Sequence, residues 1–148
     1  LPESIIEAAA HTAKEKGKNG WIITLQAPSY VPFMKYSENR ELRRKLYMAY
    51  NTQCIHDNEQ NNEDVVKQLV NLRMQLAQLL GFKNYADYAL RKRMAENSER
   101  VYQLLDQLLE AYTPTAREEV KEIEALAQRT EGKDFQLMPW DFHIMQKN

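Results

Sequence analysis

Four glycines and five prolines are all that interrupt 148 residues, and this scarcity constrains the fold more than any other feature. They stand at positions 17, 20, 81 and 132, and at 2, 28, 32, 114 and 139. Such punctuation divides the chain into helix-length pieces. Apolar residues inside the pieces recur at helical spacing. Leu42, Leu46, Tyr50 and Cys54 form one i, i+4 stripe. Val65, Leu69, Leu72, Leu76, Leu79 and Leu80 form a second, and Val101, Leu105, Leu108 and Tyr112 a third. Ala116, Val120, Ile123 and Ala127 continue beyond Pro114, which is expected to break or kink the helix that carries it.

The expected elements follow from these stripes and their caps. A helix over 2–16 opens on Pro2 and closes at Gly17. Ser37 is a cap for a helix of about 38–56, Asn61 or Asn62 for one ending at Leu80, Asn84 for 85–94, and Asn97 for the next. GWIITL at 20–25 is rich in β-branched residues between glycine and proline, so one short strand is expected at about 21–25. APSYVPFMKY at 27–36 has two prolines four apart and is expected to be extended loop. FQLMPW is expected to be extended, with Asp141 capping a final helix. The fold class is therefore all-α, a bundle-like helical scaffold with one short strand or ribbon. Strands are too few for a parallel sheet alternating with helices. Residues 1–148 read as a single helical domain or a fragment of a larger fold.

Composition narrows the function classes. Twenty basic and 21 acidic residues leave a formal charge of -1, without the excess base of a nucleic-acid binder. A chain this long buries about 70% of its unfolded surface and needs no staple. No run of 18 apolar residues occurs, so neither a membrane span nor a membrane partner is expected. LPESIIEAAAHTAKEKG lacks a basic then apolar leader pattern. The lone Cys54 favours a reducing compartment, so the cytoplasm is the expected location. A start at Leu1 leads to the expectation of a chain processed or cut from something longer.

The motifs for chemistry are missing. His11, His56 and His143 contain no pair at the spacing of HExxH. Cys54, His56, Asp57 and Glu59 lie close in sequence, but no zinc spacing rule fits them, and they read as a frayed helix end with a core-facing thiol. No phosphate loop and no GxSxG elbow occurs. Arg40, Arg43, Arg44 and Lys45, and later Arg91, Lys92 and Arg93, read as solvated helix faces or contacts to an acidic neighbour domain. Tyr30, Phe33, Tyr36, Tyr47 and Tyr50 read as core. No catalytic, cofactor-binding or metal-ligating residue is assigned.

Residues 20–34, GWIITLQAPSYVPFM, resemble a stretch of the thimet oligopeptidase and peptidyl-dipeptidase family of zinc metallopeptidases. RELRRKLYMAYNTQC (40–54), LVNLRMQLAQLLGFKNYADYAL (69–90), MAEN (94–97) and Pro-Trp-Asp (139–141) resemble further blocks of that family in order and spacing. The opening segment and DFQLMPWDF look most like the bacterial dipeptidyl carboxypeptidases. The sequence departs from the family at Gln53, where an Arg is usual, and in FHIMQKN at 142–148, where tyrosines and a Glu/Lys-rich helix are usual.

The resemblance implies a long, helix-rich, clam-shaped enzyme with a deep channel. It places HExxH, a further zinc-ligating Glu and the transition-state groups downstream of this chain. It implies zinc in the full-length parent, none in this chain, and short peptides as substrates of the parent. The chain's partners are then the catalytic remainder and, for the chain by itself, further copies. The expected role is a non-catalytic part of the channel wall, inactive alone, whose short strand pairs with others of the whole enzyme. The alternative is a stand-alone helical interaction module that has lost peptidase activity. A weaker third reading is a nucleic-acid-binding helical domain using residues 40–45 and 91–93.

Overall fold

The structure is a computed structural model that describes residues 1–146. Seven α-helices are assigned among the described residues: α1 Glu3–Glu15, α2 Ala27–Tyr36, α3 Arg40–Asn51, α4 Glu63–Leu79, α5 Tyr85–Leu90, α6 Ser98–Glu131 and α7 Phe142–Met145. A 3₁₀ turn, Pro139–Asp141, precedes α7. The described residues contain no strand, so the fold is all-α.

Caps explain several boundaries. Asn84 Oδ1 accepts from the Asp87 amide at 2.9 Å and Asn97 Oδ1 from the Arg100 amide at 2.9 Å, each satisfying a donor that a helix start leaves open. Gly17 and Gly81 follow α1 and α4 with φ of 63° and 81°, the left-handed geometry of a helix stop. At α3 the cap is Asn39, whose Oδ1 accepts from Leu42 N at 3.0 Å, rather than Ser37. Ser37 is buried, and its carbonyl accepts from Arg43 Nη1 at 2.8 Å.

Three local expectations are corrected. Residues 27–36 are a helix, not a loop. Pro28 sits in the first turn, where its missing N–H costs nothing, while Pro32 lies inside. Tyr30, Phe33 and Met34 are buried at i, i+3, i+4. Burying three such side chains contributes about 1.5–3 kcal/mol each, which outweighs the roughly 3 kcal/mol cost of an interior proline. Pro114 does not break its helix, since α6 runs through it. The stretch at 21–25 is not a strand, because a strand needs a ladder partner and 135–138 does not supply one. Its amides turn inward instead: Ile22 N donates to the Ala9 carbonyl at 3.1 Å and Thr24 N to Ser29 Oγ at 2.9 Å.

The chain divides into two compact units. The first comprises Leu1–Gln53 with the described residues from Glu119 on, and the second Cys54–Glu118. In the first unit α2 packs on α1, α3 and α7, and α3 packs on the 3₁₀ turn. Its core holds Ala9, Ala13, Tyr30, Phe33, Met34, Ala127 and Met145. In the second unit α4 packs on α5. Phe82 and Tyr88 meet edge to face at 5.4 Å, and Arg73 lies over the Tyr85 ring at 5.2 Å. Asp87 ties Asn84 Nδ2 and Ser98 Oγ together, each at 2.9 Å.

Pro114 stands exposed in a continuous helix. Pro114→Ala restores a backbone donor and is expected to stabilise α6 by about 1–3 kcal/mol. Chemical denaturation followed by circular dichroism checks this, and a variant no more stable than the parent sequence contradicts it.

Candidate functional site

The densest polar cluster begins with two arginines one turn apart. Arg40 and Arg43 share a face of α3 because i and i+3 are neighbours on a helix. Opposite them, Pro139 opens the 3₁₀ turn that sets Asp141, whose side chain is fully buried. Arg40 Nε lies 3.1 Å from both Asp141 oxygens and Arg40 Nη2 2.8 Å from Oδ2. Arg43 Nη2 donates to Oδ1 at 2.8 Å, and Met138 N donates to Oδ2 at 3.1 Å. Further guanidinium donors reach backbone carbonyls. Arg43 reaches the carbonyls of Ser37, Glu38 and Trp140, and Arg40 reaches that of Gln136. The Arg40 guanidinium lies 4.4 Å over the Phe135 ring.

Burial alone would raise the Asp141 carboxyl, but hydrogen bonds from Arg40, Arg43 and Met138 outweigh it and hold the group below its ordinary value. The hydrogen bond to Asp141 chiefly raises Arg40 in turn. Asp141 and Arg40 are thus each pushed toward the ionised form. The contacts tie α3 to the turn before α7. Aromatic rings extend it: Tyr47 meets Trp140 edge to face at 5.9 Å, Arg44 lies over Trp140 at 5.8 Å, and Tyr30 stacks on Tyr50 at 4.3 Å. Burial, then Tyr47 and Tyr50, push the Tyr30 hydroxyl upward.

The structure splits the first basic run. Arg43 is buried and Arg40 half-buried on Asp141, a residue of the same unit rather than a solvated face or a neighbouring domain. Arg44 and Lys45 are exposed, with Arg44 near Glu41 at 3.5 Å. Arg91, Lys92 and Arg93 are exposed, and Arg91 lies 5.6 Å over Phe82. Among the five aromatic residues read as core, Tyr30 and Phe33 are buried, Tyr36 and Tyr47 half-buried, and Tyr50 exposed. Cys54 corrects the expectation of a buried thiol: it is exposed, past the end of α3, with φ of 60°. His56, Asp57 and Glu59 lie in the same exposed turn. Asp141 is the residue that sequence reasoning missed. It was expected as a helix cap, but its carboxylate serves the two arginines and the Met138 amide. Two arginines at i, i+3 without a local acid on their face were the available signal.

Two apolar surfaces accompany the cluster. In the first unit a groove of about 820 Å³ is lined by Leu1, Ile6, Trp21, Ile23, Phe33 and Leu46, with Lys45 at its edge. In the second unit Ala77 is the only buried residue. The α4 stripe, spaced as a core face, and the α6 stripe lie open: Leu72 is 61% exposed, Leu79 84% and Tyr112 66%.

Asp141→Asn keeps the shape and removes the charge, leaving Arg43 buried without its counter-ion. A loss of about 3–5 kcal/mol is expected. Because the folded-state value is depressed, the contribution is complete above the unfolded carboxylate value of about 4 and fades as pH falls toward the folded one. Denaturant melts from pH 6 to pH 3 should show the gap between the two proteins closing with acidification. A gap that stays constant would contradict the assignment.

Similarity to known proteins supplies the family. Residues 33–148 match the family described as peptidase family M3. Oligopeptidase A of Haemophilus influenzae is 39% identical over 145 residues, covering 95% of this chain and 21% of that protein. Oligopeptidase A of Escherichia coli is 38% identical over the same shares. Dipeptidyl carboxypeptidase of Escherichia coli is 30% identical over 143 residues, covering 96% and 21%. Identity is thus higher to oligopeptidase A than to the dipeptidyl carboxypeptidase, although the terminal blocks suggested the latter branch. The chain spans about a fifth of the length of these relatives. Lys147 and Asn148, part of the departure at 142–148, lie outside the described residues. By the extent of these matches, the chain belongs to peptidase family M3.

Proposed function

We propose that this chain is a non-catalytic helical part of a zinc metallopeptidase that hydrolyses oligopeptides, and that it forms part of the wall of the substrate channel. Membership of peptidase family M3 and similarity to oligopeptidases support the reading. One observation carries it: α4 and α6 keep apolar residues at helical spacing on surfaces this chain leaves open. A Leu left in water forgoes about 1.5–3 kcal/mol of burial. Stripes of this size on an otherwise polar chain fit polypeptide that packs on them, and relatives five times as long supply the room.

Zinc is the metal the family implies, and when bound in such an enzyme it makes a water nucleophilic at neutral pH. The residues of this chain do not fit it. Among the described residues no group of three or more His, Cys, Asp or Glu side chains could hold a metal ion. On this reading the zinc site belongs to polypeptide outside these 148 residues. The role left to this chain is mechanical: its helices exclude folded proteins from a channel and hold its wall rigid. The compartment proposed is the cytoplasm, on the strength of the single cysteine.

The same open stripes also suit a stand-alone interaction module, since exposed apolar patches above a few hundred Å² mark partner surfaces. The two readings separate on Leu72→Ala. In the chain alone the substitution is expected to shift stability by no more than about 0.5 kcal/mol. In a polypeptide that continues beyond Asn148 it should cost about 2–5 kcal/mol. Equal, small effects in both would contradict the wall reading.

Hydrolysis gives a second check. The purified chain with added zinc is expected to leave a quenched fluorogenic oligopeptide intact. Chelator-sensitive turnover would overturn the proposal.

A further inference from the structure

We draw no further inference here: the strongest candidate, the apolar groove of about 820 Å³ between α1, the 21–25 segment and α3, is an unpartnered face, and nothing in the structure shows what covers it.

Discussion

The buried carboxylate of Asp141 is the interaction on which the first unit depends. It joins residues about a hundred positions apart, Arg40 and Arg43 on α3 and the turn before α7. Two charges taken from water are costly unless every donor finds an acceptor. Here the donors of Arg43 are spread over Asp141 and three backbone carbonyls. No buried side-chain polar atom among the described residues lacks a partner. The arrangement also fixes geometry. Once Asp141 is seated, Trp140 lies against Tyr47 and Arg44, and α7 packs on α2. The Pro-Trp-Asp segment therefore acts as a clasp, with proline setting the turn, tryptophan packing on α3 and aspartate locking the charge.

The second unit is held differently. Asn84, Asp87 and Ser98 form a small polar knot, and Phe82, Tyr85 and Tyr88 stack beside it under Arg73 and Arg91. These contacts set the turns between helices. They do not bury the leucines of α4 and α6. Ordering a helix costs about 1–2 kcal/mol per residue in backbone entropy, and tertiary burial of the apolar stripe normally offsets it. The stripe in this unit is therefore the place where further polypeptide would contribute most.

Much of this was legible in the residues themselves. Asparagines before apolar stripes marked the starts of α5 and α6, and glycines marked the ends of α1 and α4, because caps and left-handed stops are local chemistry. The helix at 27–36 was hidden by its two prolines, although Tyr30, Phe33 and Met34 carried the helical period. The apparent strand at 21–25 had the right composition, but pairing is a property of a partner that local sequence does not contain. The Arg40–Asp141 contact was illegible for the same reason, since its two ends are far apart in the chain. Family blocks, read in order, pointed to the peptidases before any contact was known. The chemistry of a site was not legible because none of the motifs that would carry it, HExxH among them, is read in these residues.

If this chain is scaffold, as proposed, the catalytic site lies elsewhere in the same polypeptide. The most direct test is to read the coding sequence beyond the codon for Asn148. An in-frame HExxH motif farther on is the predicted result. A stop codon immediately after Asn148 would contradict the account and leave the open leucine stripes to a separate partner.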